Sequence, residues 1–144
     1  MRKYMIPLSV GAAMLLAVTT AGSAQAAQGN SDWRYLDCTS SGAQGELGYR
    51  WYSKGTTGEV DLELTALDID SDGHHPEVRF VSRNYPGTIK YWSWHSYDGG
   101  AGSGRAWYTT AQSSEGLYAI GIQVANVEGS EILTYKTCWV IESA

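Results

Sequence analysis

Past its first 26 residues this chain has no apolar run approaching the roughly 20 residues that cross a bilayer as a helix, and no stretch of helical periodicity. It has no methionine there either, since Met1, Met5 and Met14 all come earlier. Basic residues are scarce. Setting aside residues 1–26 lowers the Lys and Arg count from 10 to 8 against 15 acids, and the net charge moves from −5 to −7. Nucleic acid is bound through clustered Lys and Arg that displace counterions, and anionic lipid attracts basic segments. An acidic chain without a membrane span therefore points away from both partners. Catalytic signatures are missing as well: there is no Gly-x-Ser-x-Gly elbow and no His-Glu-x-x-His. The glycine-rich run 99–104 joins two predicted strands and leads into no helix, which argues against a phosphate cradle. Acids occur throughout the chain and no pair is singled out for glycoside hydrolysis. The expectation is a protein without enzymatic activity and without a cofactor, a calcium ion excepted.

The residues present set the compartment and the fold. Residues 1–26 combine Arg2 and Lys3, an apolar stretch from Val10 to Val18 and the ending Ala24-Gln25-Ala26, the pattern of a secretory signal peptide. The mature chain then begins near Ala27 and is secreted. Its remaining length, about 118 residues, suits one domain. In an oxidising compartment the two cysteines, Cys38 and Cys138, are expected to pair. From Glu46 onward short alternating runs are separated by Gly, Asn, Asp and Ser, and Trp, Tyr, Val and Ile dominate, which favours pleated sheet. Strands are predicted over 34–37, 46–54, 59–67, 77–83, 88–94, 105–112, 117–125 and 132–141, with a hairpin turn at 55–58. Seven or eight strands in one antiparallel β-sandwich with one disulfide is the expected fold; a small closed barrel is the alternative.

In the strand from 117, Tyr118, Ile120, Ile122 and Val124 form one face. Leu117, Ala119, Gly121, Gln123 and Ala125 form a smaller-sided second face suited to close approach by another layer. The segment Asp68-Ile69-Asp70-Ser71-Asp72-Gly73 spaces Asp68, Asp70 and Asp72 as an EF-hand loop spaces its calcium ligands. Its twelfth position is Arg79 instead of Glu, however, and its flanks read as strands. The other reading is a solvated hairpin tip whose Asp side chains bond their own backbone. His74 and His75 are adjacent, so on extended chain they point apart. His95 reads equally as an interface residue or a core partner.

Six tryptophans exceed what so small a core can hide, and Trp and Tyr dominate protein hot spots. Trp51 and Trp139 are expected inside; Trp92, Trp94 and Trp107 are assigned to a binding surface, with Trp92 and Trp94 on one strand face. The same rings would also stack on polysaccharide.

Trp33-Arg34-Tyr35 resembles the exposed triplet with which small secreted α-amylase inhibitors of the tendamistat type enter the enzyme's cleft. The match covers those three residues, in a chain with half that family's cysteines and with the triplet near its mature start. Taken whole, the export signal, polar arm, single long-range disulfide and Trp/Tyr-rich strands resemble small secreted β-sandwich proteins of filamentous actinobacteria, some of which are adaptor subunits of umbrella toxin particles. That resemblance implies an arm over residues 27–35 inserted into one secreted protein partner, with a face of the sandwich docked on another. The leading expectation is a secreted, non-enzymatic protein-interaction module using Trp33, Arg34, Tyr35, Trp92, Trp94 and Trp107. A carbohydrate-binding module and a secreted enzyme inhibitor are the alternatives.

Overall fold

A computed structural model of the protein describes residues 32–50, 52 and 58–141, and all regular structure in them is β. The strands are β1 (Arg34–Ser40), β2 (Ala43–Arg50), β3 (Gly58–Asp68), β4 (His75–Arg83), β5 (Ile89–Tyr91), β6 (His95–Ser96), β7 (Gly104–Ser113), β8 (Ala119–Glu128) and β9 (Glu131–Trp139). They form two antiparallel sheets. The first has the order β1-β2-β3-β7; the second runs β5-β4-β8-β9, with β6 also paired to β4. The protein is a β-sandwich, and no ladder between the two sheets closes it into a barrel among the described residues. The predicted turn at 55–58 and the start of the chain lie outside the described residues, apart from Gly58, the first residue of β3. So do the signal segment and Trp51.

Period-two alternation places the core. On β3, Val60, Leu62, Leu64 and Ala66 are buried while Glu59, Asp61, Glu63 and Thr65 face outward, as the sequence predicts. They meet Val78 and Phe80 of β4 and Ile120, Ile122 and Val124 of β8 in one cluster. Each such side chain contributes roughly 1.5–3 kcal/mol on burial. The smaller-sided face of β8 takes no further layer among the described residues. Its residues pair with the outward positions of β4, as in Arg79↔Gln123 and Val81↔Gly121, and long neighbouring side chains lie across it.

Three connections cross between the sheets: 69–74 and 97–103 at one end, 114–118 at the other. The Asp68 segment is thus a crossover and not a hairpin tip, because β3 and β4 belong to different sheets. Of the run predicted as one strand over 88–94 only β5 is regular, since Trp92-Ser93-Trp94 leaves the ladder, and β6 starts just beyond it at His95.

Cys38 on β1 and Cys138 on β9 are bonded, with Cα atoms 5.8 Å apart and a sequence separation of 100. The bond joins the outermost strands of the two sheets along one side. In the chain-entropy model, closing a loop of that length contributes about 4.7 kcal/mol. On the same side Gly45 faces inward from β2, and a Cβ there would stand 2.5 Å from Val124 and 2.9 Å from Val78 of the opposite sheet. Only glycine lets the layers approach so closely.

Candidate functional site

The triplet Trp33, Arg34 and Tyr35 is fixed on the first sheet instead of projecting as an arm. Arg34 and Tyr35 begin β1 and pair with Tyr49 and Gly48. Tyr35, 55% exposed, lies flat over Gly48, its ring 2.9 Å from where a Cβ would stand. The Trp33 ring is covered by the Arg50 guanidinium at 4.7 Å, and Arg50 itself is bound to Asp61 at 3.2 Å. Pairing with β2 takes up the backbone groups of β1 that face it, so the arm predicted over 27–35 gives up at least its last two residues to the sheet.

Around the triplet the outer face of this sheet is acidic. Asp37, Glu46, Glu59, Asp61 and Glu63 occupy its outward positions by register. Three of these carboxylates accept hydrogen bonds from β7: Glu63 from the Tyr108 hydroxyl (2.9 Å), Asp61 from Thr110 (2.9 Å) and Glu59 from Gln112 (2.6 Å). The bond to Glu63 pushes the Tyr108 phenol up. Glu46 stands opposite Asp37. Burial first, then the charges of Asp37 and Glu63 and a hydrogen bond with Asp37, hold its carboxyl above the ordinary range.

The three surface tryptophans are not one patch. Trp92 turns to the core: its ring lies 5.5 Å from Phe80, its indole N–H donates to Ser82 at 3.0 Å, and Lys90 covers it at 4.2 Å. Trp94 lies instead on the outside of the second sheet. The two rings part company because β5 ends at Tyr91 and the backbone between them is irregular. Trp107 faces inward from β7 and stacks at 5.1 Å on His95, which is therefore half of an aromatic pair.

The outer face of the second sheet is the aromatic surface that the sequence does not disclose. Arg79 is held between Tyr91 and Trp94, 4.3 Å from each ring. Its Nε donates to Gln123 (2.8 Å), and Gln123 donates to Thr137 (2.8 Å), so one line of contacts crosses β5, β4, β8 and β9. Burial pulls the Arg79 guanidinium below its ordinary value, opposed by Tyr91. Four residues along β4, Arg83 covers Trp139 at 4.7 Å. Its buried Nε meets no acceptor, which leaves the ring as its main partner. Trp139, expected inside, is therefore a half-buried outer residue, and Val81 between the two arginines is fully covered. Tyr135, 65% exposed, extends the face along β9. Arg79 and Arg83 at positions i and i+4 of one strand are legible as a same-face pair; their aromatic partners come from register alone.

In the crossover, the Asp68 carboxylate accepts the backbone N–H of Asp70 at 3.2 Å, and Asp72 accepts that of His74 at 3.0 Å. The second oxygen of Asp72 accepts from Asn126 at 3.2 Å and lies 2.9 Å from His74 Nδ1. The His74 N–H first, then the Asn126 and His74 side chains, hold Asp72 below the usual carboxylate range, opposed by a smaller effect of burial. Asp98 joins Asp68, Asp70, His74 and His75 around an open groove of about 490 Å³. No three carboxylates or imidazoles stand together as a ligand set among the described residues.

No family model, curated protein or solved structure matches this chain. Its surfaces are therefore read from their own chemistry.

Proposed function

We propose that this protein is a secreted, non-enzymatic protein-interaction module, working as an adaptor or subunit of an extracellular, toxin-type complex. The observation that carries the reading is the Tyr91–Arg79–Trp94 stack beside the Arg83–Trp139 pair. Trp, Tyr and Arg are the residues on which interface energy concentrates. Here they are pre-ordered on a rigid sheet, so little side-chain entropy is lost on docking. Sugar stacking needs a bare indole face. Arg79 covers Trp94, Lys90 covers Trp92, and His95 covers Trp107, which favours the protein reading over the polysaccharide one. The disulfide fits export to an oxidising compartment. The imidazoles are also committed: His74 to Asp72, and His75 between Glu77 and Asp98.

The test is capture from culture fluid with tagged residues 27–144 as bait. A defined set of co-purifying proteins is expected, and Arg79→Ala with Trp94→Ala should release at least one of them while the fold stays intact. Retention on polysaccharide with no captured protein would overturn the reading.

A further inference from the structure

Opposite the disulfide the two sheets touch at the Trp107–His95 stack and part beside it. Among the described residues β7 ends the first sheet and pairs with β3 alone. Across the gap stands the irregular segment from Trp92 to His95. Between them a cavity of about 200 Å³ reaches the core side chains Leu62, Leu64 and Phe80, walled by Trp92, His95 and Thr109. Pockets that take a whole small molecule run to about 300–1,000 Å³; this one suits a single apolar side chain. The strand beside it is ten residues long, without proline and with one charged residue, Arg105. Edges that natural proteins protect are shortened, charged, interrupted by proline or covered. Backbone groups that β7 turns away from β3 find their best complement in another extended chain.

Charge completes the description of the occupant. An added strand would lie about 4.8 Å beyond β7 and roughly 10 Å from β3, so long basic side chains on it reach the carboxylates of Glu59, Asp61 and Glu63. Those three already accept from β7, and Asp37 and Glu46 share their face.

We propose that β7 and the adjoining cavity bind an extended segment of a partner protein as a further strand. Its alternate residues are apolar, one of them filling the cavity, and basic, lying over the acidic outer face. The proposal rests on the protein-interaction reading and supplies a second surface, separate from the Arg79 stack, as an adaptor requires.

The probe is a nine-residue capped peptide alternating valine and arginine around a central leucine. Three controls accompany it: glutamate in place of arginine, a scramble without alternation, and N-methylation of the alternate amides that would face β7. Binding to the full disulfide-bonded domain is followed by amide exchange and two-dimensional NMR. We expect slowed exchange between Arg105 and Gln112, shifted signals from Trp92 and His95, and affinity at least about tenfold lower for every control. Ser93→Trp, at the exposed rim of the cavity, should remove binding without changing the melting temperature. Absence of binding, equal binding of the N-methylated peptide, or protection of β1 or β9 instead would overturn the proposal; the N-methylated control decides even where Ser93→Trp fails to fold. If culture-fluid partners are captured but unaffected by Ser93→Trp, the groove is wrong and the interaction module stands. If none is captured at all, the broader reading fails.

Discussion

The two long sides of this sandwich are built in opposite ways. On one, β1 and β9 are bonded through Cys38 and Cys138, Ser40 donates to Thr134 at 3.1 Å, and Thr134 donates to the Ser41 carbonyl at 3.2 Å. Gly45 draws the layers together there. On the other, β7 and the segment from Trp92 to His95 touch through the Trp107–His95 pair and part beside it over a cavity floored by core residues. The closed side carries stability and the open side carries accessible apolar surface. A domain that sealed both would have less to offer a partner.

The largest test of this contrast removes the bond. Replacing Cys38 and Cys138 together by Ser should lower unfolding free energy by about 4.7 kcal/mol, read from urea denaturation, and should leave the open side's peptide binding intact in whatever fraction stays folded. Next come two small inward residues of the same sheet. Gly45→Ala forces a methyl against Val124 and should cost roughly 1–3 kcal/mol by overpacking. Ala111→Val on β7 extends into the cavity and should be neutral or stabilise by about 0.5 kcal/mol. Equal costs at the two positions would mean that the sides do not differ in packing.

The line from Tyr91 through Arg79 and Gln123 to Thr137 ties the open side to the closed one. Arg79→Ala should cost about 1–2 kcal/mol, from lost ring contacts and an unpaired Gln123, and should speed amide exchange in β5. The smallest effect belongs to Glu46, beside the closed side. Its pKa is raised in the folded state, so the stability it contributes is complete below its unfolded value of 4.5 and is lost as pH rises through the raised one. Glu46→Gln should therefore leave stability unchanged near pH 4 and raise it at pH 7. Because the group is only partly buried, screening limits the gain to about 0.5 kcal/mol.

Much of the architecture was legible from residue order. Alternation in β3 is strict because one face is core and the other water, and the disulfide is the pairing expected of an even cysteine count behind a signal-peptide pattern. The assignment of strands to sheets was not legible: the Asp68 segment has turn chemistry whether it closes a hairpin or crosses between layers. Trp92 and Trp94 misled for a related reason, since same-face placement holds only while the backbone stays extended. Arg79 and Arg83 escaped notice because nothing local shows that Tyr91, Trp94 and Trp139 will be drawn beside them. Nothing in the triplet's own residues shows that β2 supplies a ladder for its last two.

The bond between positions 38 and 138 also decides how this domain responds to being pulled. A load applied through the segments that precede Cys38 and follow Cys138 passes directly from one sulfur to the other, and the 99 residues enclosed between them bear no tension. Seven of the nine strands lie wholly inside that loop. A sandwich of this design, loaded at its two tails, keeps both sheets in shape at forces that would unzip an unbonded one, until the covalent link is reduced or broken.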